Sequence, residues 1–197
     1  MKTDILGYII IALILLLSVK LFYDSDLFQL KCIISNKDNN TYCVRERNKI
    51  NEAADLLAET TINMKKLVKH LKEKYPEREN VKRLSSKFNP TKIKETLPTS
   101  EYTAYSENKG EKLAFCLNKE KNGSGKLIDI NTLTFVALHE LSHIATKSIG
   151  HTTEFWNNFK FILKEAVKKN LYNPINYKEN PTSYCSMKIT DNPYYDL

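Results

Sequence analysis

The sequence LTFVALHELSHIATKSIGHTTEFW, residues 133–156, contains the most informative pattern in the chain. His139 and His143 are four residues apart, and Glu140 directly follows the first histidine. Residues i and i+4 of an α-helix lie on nearly the same face, so the two imidazoles can bind one zinc ion. We therefore predict that His139 and His143 are metal ligands on a helix, with Glu140 beside the ion.

Glu140 is the group that a hydrolytic site needs next to its metal. Zinc lowers the pKa of water towards about 7, and a nearby carboxylate can take the proton as the water attacks a carbonyl. The pattern predicts hydrolysis of peptide bonds in a protein substrate through a zinc-activated water, with Glu140 as general base. The alternative is a core helix whose histidines satisfy each other, but three of the four histidines fall between 139 and 151.

A third zinc ligand is expected, because a catalytic zinc usually has three protein ligands and one open position. His151 follows Gly150, where the chain turns back after the motif helix, and we predict it as the third ligand. Glu154 and Glu165, on the next predicted helix, are the acidic alternatives. His70 lies among lysines and is predicted to be a surface histidine.

Apolar periodicity indicates an α+β domain. The predicted helices are 48–75, 79–88, 132–147 and a last helix that begins at 152 or 153. The predicted strands are 102–106, 112–118 and 126–130, in a small antiparallel meander. Asn48 and Asn131 are the expected N-caps. Residues 89–98 and those beyond 170 are expected to be loops.

The first 23 residues are predicted to be a transmembrane anchor in contact with the lipid bilayer through residues 5–23. This apolar segment is close to the roughly 20 residues that cross a bilayer. A cleaved signal peptide is the alternative, but no A-x-A cleavage pattern follows. We assign residues 24–47 to a juxtamembrane stalk or hairpin, with strands at 27–34 and 41–44. Residues 48–190 are assigned to the catalytic domain and 191–197 to a tail.

The charge of the chain bears on its partners and on its orientation. A net charge of +7 is compatible with acidic partners such as nucleic acid or anionic lipid, but a solvated lysine-rich surface is the favoured explanation. Lys20, Lys31 and Lys37 favour a cytosolic domain under the positive-inside rule. Two glycosylation acceptor patterns, Asn39-Asn40-Thr41 and Asn122-Gly123-Ser124, favour the opposite side of the membrane.

The four cysteines form no C-x-x-C pair, so they do not indicate a zinc ribbon. Cys32 and Cys43 flank a predicted turn. They can form a disulfide in an oxidising compartment or remain thiols in the cytosol. Cys116 and Cys185 are not expected to bind zinc, because three histidines already supply enough ligands.

Several other residues have two interpretations. Residues 113–117 are either an edge strand that pairs with substrate or a core strand. Tyr177 or Tyr184 is a candidate donor to an oxyanion, against the ordinary role of a packed tyrosine. Phe155 and Trp156 are predicted core residues that hold the last helix against the motif helix and so orient the third ligand.

The run from His139 to His143, followed by Gly150-His151-Thr152-Thr153-Glu154-Phe155-Trp156, resembles the WLM and SprT-like zinc peptidases. In that group a third histidine precedes an apolar Phe or Phe-Trp pair. The wider chain, over roughly residues 44–190, is similar to uncharacterised WLM-like proteins of large DNA viruses, which carry an N-terminal hydrophobic segment.

This resemblance implies a minimal zincin fold, one bound Zn²⁺ and peptide-bond hydrolysis. It implies His139, His143 and His151 as ligands, Glu140 as base, and a single-pass protein of a viral membrane or virion. Some members of the group cut proteins crosslinked to DNA, whereas this chain has a membrane anchor and no recognisable DNA-binding appendage. The alternative functions are a catalytically silent, zinc-stabilised module that docks nucleic acid or protein, and a membrane structural protein.

Overall fold

A long apolar helix, α1 (Ile5–Tyr23), precedes the packed part of the chain. The computed structural model describes residues 5–23, 25–121 and 126–196. Within these ranges, α1 is the one helix long and apolar enough to cross a membrane, and none of it is buried in the protein. The predicted N-terminal apolar helix is therefore present, and its 19 residues are close to the roughly 20 that cross a bilayer.

The four helices predicted for the domain are all present, with shifted ends. The further helices of the described chain are α2 (Asp26–Gln29), α3 (Ile50–Lys74), α4 (Glu79–Lys87), α5 (Ile130–Ala145) and α6 (Thr153–Lys168). Helix α5 begins two residues earlier than predicted, because the side chain of Asp129 accepts a hydrogen bond from the Thr132 amide at 2.9 Å. Asp129 is therefore its N-cap, and Asn131 is not. Lys49 rather than Asn48 precedes α3.

The described strands form three small sheets. The first is an antiparallel hairpin of β1 (Leu30–Ile34) and β2 (Thr41–Arg45). The second contains β3 (Ile93–Glu95), β4 (Ala104–Glu107) and β5 (Lys112–Phe115) in the order β3-β5-β4. The third is a hairpin of β6 (Thr182–Tyr184) and β7 (Met187–Ile189), inside the region predicted as loop. The predicted strand at 27–34 starts only at 30, because α2 precedes it.

The middle sheet differs from the predicted antiparallel meander. Strand β3 lies in the predicted loop 89–98 and pairs parallel with β5. The sequence does not predict this strand, because three residues are too few to show the alternation of a strand. Residues 126–130 are not a strand: Leu127 makes one isolated bridge to Asn118. Since β5 is central and residues 113–117 are buried, the core-strand interpretation of that segment is correct. The outer strands of this sheet are β3 and β4.

The core lies between the helices and the first two sheets. Its fully buried large side chains include Leu57, Met64, Leu67, Leu71, Leu84, Leu113, Phe115, Phe155 and Phe159. Strand β2 adds Tyr42 and Val44 to this same core. The segment between α1 and α3 is thus a hairpin packed into the domain rather than a free stalk.

All four cysteines lie in the described chain and are paired. Cys32 faces Cys43 across the β1–β2 hairpin and forms a disulfide with it. Cys116, directly after β5, is bonded to Cys185 in the turn between β6 and β7. The second disulfide fixes the C-terminal hairpin to the end of the central strand.

Candidate metal centre

Three imidazoles converge at one end of α5. His139 and His143 project from this helix, and His151 lies in the short loop before α6. The Nε2 atom of His139 is 3.1 Å from that of His143 and 3.1 Å from that of His151. One ligand atom from each histidine lies within 4.8 Å of the others. The i, i+4 spacing on a helix and a returning loop therefore bring together the three predicted ligands.

Aromatic side chains of α6 hold these imidazole rings in place. The centroid of the Phe155 ring is 4.3 Å from that of His143 and 4.9 Å from that of His139. Phe155 is fully buried between the two helices, as predicted. Trp156 was expected in the core, but its side chain is 42% exposed and lies 5.6 Å from the His151 ring. One residue further along a helix points about 100° away, which takes Trp156 out of the helix–helix contact.

The loop that carries His151 is held from two sides. The Nζ atom of Lys109 donates to the three successive carbonyl oxygens of residues 146–148, at 2.7–3.0 Å. The carboxylate of Glu154 accepts hydrogen bonds from the amides of residues 147 and 148, at 3.0 and 3.2 Å. Gly150 has a φ of 82°, a conformation that glycine adopts without steric cost. These contacts fix the return of the chain towards the helix.

The environment keeps two of the imidazoles neutral. Burial, followed by the proximity of His143 and His151, lowers the pKa of His139 to about 3. Burial also lowers the pKa of His143 to about 4, with smaller contributions from His151 and Lys109. Neutral imidazole has a free lone pair and is the form that binds metal ions. Both side chains are therefore in the ligating form at neutral pH.

Glu140 lies beside the histidines and is almost fully buried, at 5% exposure. Its burial raises the pKa of the carboxyl to about 8. A cation held by the adjacent histidines would favour the charged form and lower this pKa again. A carboxyl group whose pKa lies near neutral pH suits proton transfer.

The donor set fits a zinc ion. Zn–N bonds of about 2.0–2.1 Å in a tetrahedral site place ligand nitrogens about 3.3 Å apart. Two of the nitrogen separations here are 3.1 Å. Three nitrogen donors leave one of four positions for water or substrate, as in catalytic zinc sites.

A cleft of 970 Å³ opens in front of these residues. One wall is strand β4 with the turn that follows it, and the opposite wall is the loop 148–151. His139, Glu140 and His143 line the cleft between these walls. The potential reacting groups are thus accessible from solvent and lie next to the edge of a sheet.

A protein of Acanthamoeba polyphaga mimivirus, called uncharacterized protein R325, is 31% identical to the chain over 186 residues. The match covers 92% of this chain and 91% of the mimivirus protein. The chain belongs to the same family as this mimivirus protein. No protein-family model matches this chain.

Proteins of other viruses are similar to shorter parts of this chain. Uncharacterized protein 136R of invertebrate iridescent virus 6 is 36% identical over 62 residues, which are 32% of this chain and 35% of that protein. Uncharacterized protein 042R of invertebrate iridescent virus 3 is 39% identical over 64 residues, 32% of this chain and 39% of that protein. Among solved structures, Wss1 from Saccharomyces cerevisiae is similar with a TM-score of 0.48 and 15% identity. That match covers 70% of this chain and 97% of the Wss1 chain.

The two acidic alternatives for the third ligand, Glu154 and Glu165, lie outside the histidine cluster. Glu154 is bonded to the loop amides and to Arg83, whose Nη2 atom is 3.4 Å away. Glu165 accepts hydrogen bonds from residues of α3, including His70 at 3.1 Å. His70 is therefore a half-buried partner of a carboxylate rather than a free surface histidine. It is not one of the three clustered histidines.

The two candidate oxyanion donors are buried side chains. Tyr177 is fully buried, and its ring packs 4.9 Å from that of Phe135. The hydroxyl of Tyr184 donates to the Thr103 carbonyl at 3.2 Å and accepts from the Cys116 amide at 3.1 Å. Both tyrosines thus have packing and positioning contacts, which was the ordinary interpretation.

Sequence reasoning missed Lys109 as part of this centre. The residue lies in a turn signal, Asn-Lys-Gly, which predicts only that the chain reverses. Its contact with the carbonyl oxygens at the end of α5 depends on how the β4–β5 turn packs against that helix, and local sequence carries no signal for such packing. The sequon at Asn122 lies outside the described residues.

Proposed function

We propose that the chain is a membrane-anchored zinc metallopeptidase of the WLM and SprT-like zincin type. One observation carries this proposal: three imidazole ligand atoms lie within 4.8 Å of one another, beside a buried glutamate, in an open cleft. A purely structural site has no need of Glu140 or of an accessible fourth position. Peptide-bond hydrolysis is the chemistry that uses all of these groups together.

Each residue has a distinct role in this proposal. His139, His143 and His151 would hold the ion. When bound, zinc would supply a Lewis acid that polarises a carbonyl and makes water more acidic. Glu140 takes the proton of the attacking water and returns it to the leaving amine. Its burial excludes bulk water from the carboxyl group and strengthens its electrostatic interactions.

Strand β4 is the proposed binding edge for the substrate backbone. It is an outer strand of its sheet, and Ala104, Tyr105 and Ser106 line the cleft. An extended peptide can add to such an edge through main-chain hydrogen bonds, which are independent of side-chain identity. The added strand would run past Glu140.

Helix α1 would hold this domain at a membrane. The 19 residues of α1 are mostly apolar, none is buried, and their length matches the thickness of a bilayer. The ring of Phe28 in α2 packs 4.7 Å from that of Tyr23 at the end of α1. Aromatic residues favour the membrane–water interface. Since the relatives are viral, the proposed site of action is a viral membrane or virion, with a protein as substrate.

The test compares the full chain with its Glu140→Gln variant in lipid nanodiscs, with Glu79→Gln as a control on an exposed surface carboxylate. Zinc content and cleavage of unfolded casein are measured for each protein. We expect about one zinc per chain in all three. We expect cleavage by the wild type and by Glu79→Gln, and at least a hundredfold slower cleavage by Glu140→Gln.

The other outcomes separate the alternatives. If zinc binds and none of the three proteins cleaves casein, with or without DNA, the catalytically silent zinc module becomes the better description. Absence of zinc from all three proteins would contradict both functions.

A further inference from the structure

A second, smaller hollow adjoins the metal centre on the side away from the His151 loop. Its volume is 240 Å³, and we call it the hairpin pocket because β7 of the C-terminal hairpin forms one wall. Ala104, His139 and Glu140 line both this pocket and the large cleft. The two hollows therefore meet at the residues that carry the proposed chemistry.

The lining of the hairpin pocket is mainly apolar. Its apolar side chains include Phe135, Val136, Trp156, Phe159, Met187 and Ile189. Among the described lining residues, the acidic groups are Glu140 and Asp191, and Asp191 pairs with Lys178 at 3.1 Å. Asp191 is thus already paired, and Glu140 belongs to the proposed metal centre. The rest of the described wall is mainly apolar, so an apolar group gains most from transfer into the pocket.

The wall formed by the hairpin is fixed before anything binds. The Tyr184 hydroxyl donates to the Thr103 carbonyl, and the Thr103 hydroxyl lies 3.2 Å from the sulfur of Met187. The Cys116–Cys185 disulfide joins the turn of the hairpin to the end of β5. These contacts tie the hairpin to the segment that enters β4. A pocket with fixed walls loses little conformational entropy when a ligand enters it.

The position of the pocket identifies what part of a substrate would enter it. A peptide added along β4 passes Ala104 and Glu140, and successive side chains of a strand point to opposite faces. The side chain beside Glu140 can therefore turn into the hairpin pocket while the backbone stays on the strand edge. Resting on the proposed peptidase function, we infer that the hairpin pocket binds one large apolar side chain of the substrate, at a residue adjoining the cleaved peptide bond. The substrate class is then proteins cut next to residues such as Leu, Phe or Met.

The only tryptophan in the sequence lines this pocket, so its fluorescence reports occupancy directly. The experiment titrates zinc-loaded full chain in nanodiscs with capped tetrapeptides that differ in one residue, Phe, Leu, Ala or Asp. The titration uses the Glu140→Gln background so that no peptide is consumed. We expect the Phe and Leu peptides to bind at least about tenfold more tightly than the Ala peptide, with a shift of Trp156 emission.

Two variants change the pocket in different ways. Val136→Phe fills it from α5, and Met187→Lys places a charge at its mouth on a side chain that is already 46% exposed. Each should remove most of the preference for Phe and Leu. Ile34→Lys makes the same apolar-to-basic change on the exposed face of β1 and should retain it. Since Met187 is at the surface, its variant keeps the test valid if Val136→Phe fails to fold.

The results separate this inference from the proposed function. If the four peptides bind equally, or if none binds, the inference that this pocket binds an apolar side chain is wrong. It is also wrong if Val136→Phe and Met187→Lys both keep the full preference for the Phe and Leu peptides. Mass spectrometry of the same peptides after incubation with wild-type chain tests the peptidase independently. If the Phe and Leu peptides bind preferentially but no peptide is cleaved, the pocket remains a ligand site and the peptidase function is rejected. If peptides are cleaved without any binding preference, the peptidase function remains and the pocket is rejected.

Discussion

Glu165 is a charged residue buried within the helical core, at 1% exposure. Its two oxygens accept hydrogen bonds from Lys168 at 2.7 Å, Tyr75 at 3.0 Å, and Lys74 and His70 at 3.1 Å. Burial alone would raise the pKa of this carboxyl, but the four donors outweigh it and lower the pKa to about 2. The ionised form is therefore the one that joins α6 to α3.

The Glu165→Gln variant should be less stable in a pH-dependent way. Because the pKa of the folded state, about 2, lies below the ordinary value of 4.5, the stabilisation is complete above about pH 4.5 and is lost as the pH falls through 2. We expect the variant to lose on the order of 2–3 kcal/mol at pH 7 and to approach the wild type near pH 2. Thermal unfolding of the full chain in detergent, followed from pH 7 to pH 2, measures this.

Glu52→Gln is the matched control, since Glu52 pairs with Lys49 at an exposed site. Exposed pairs contribute roughly 0–1 kcal/mol, so this variant should stay near wild type at every pH. A difference for Glu165→Gln that does not change with pH would contradict the role of its charge.

At the scale of elements, the metal centre depends on the loop between α5 and α6. The helix supplies two of the proposed ligands with fixed spacing, whereas His151 depends on a loop whose carbonyls are held by Lys109 from the β4–β5 turn. Lys109 touches no ligand in these contacts and acts through the backbone as a positioning residue. Partners of this kind keep a ligand oriented and typically affect metal affinity by about 10–100-fold.

The Lys109→Met variant should weaken zinc binding by about tenfold, because the loop loses its three hydrogen bonds while the apolar part of the side chain remains. Competition with a zinc chelator measures the affinity, and thermal unfolding of the zinc-free protein shows whether the fold itself has changed. Lys69→Met, on the exposed face of α3, is the matched control. Equal zinc affinity in all three proteins would show that the loop needs no external support.

The sequence predicts the long helices and the ligands they carry better than it predicts the short strands. Helix α3 repeats its apolar face over 25 residues, and the spacing of His139 and His143 requires only that α5 be a helix. Strands β3, β6 and β7 have three residues each, and their pairing comes from tertiary contacts and a disulfide. For the same reason the hairpin pocket, whose walls come from α5, α6 and β7, has no local sequence signal.

At the scale of the whole molecule, the paired cysteines bear on which side of the membrane the domain occupies. The lysines after α1 favour the cytosol, whereas disulfides persist mainly in oxidising compartments. Cys32 and Cys43 pair within the β1–β2 hairpin, and Cys116 and Cys185 join the end of β5 to the C-terminal hairpin. The chemistry of these four residues therefore favours the side opposite to the one that the lysines indicate.

We expect the full chain, inserted into microsomal membranes, to have its domain in the lumen. Its thiols should react with PEG-maleimide only after reduction and denaturation, which should then add four labels, and Asn39 in the exposed β1–β2 turn should acquire a glycan. Asn39→Gln is the control for the glycan. Four reactive thiols without reduction, together with digestion of the domain by external protease, would place it in the cytosol.

The Cys116–Cys185 disulfide has one more consequence. It closes a covalent ring between two residues that are 69 positions apart in sequence, and this ring contains α5, α6 and the three clustered histidines. A single backbone cut inside this ring leaves both fragments joined. Such a nicked molecule would migrate as an intact chain until reductant is added.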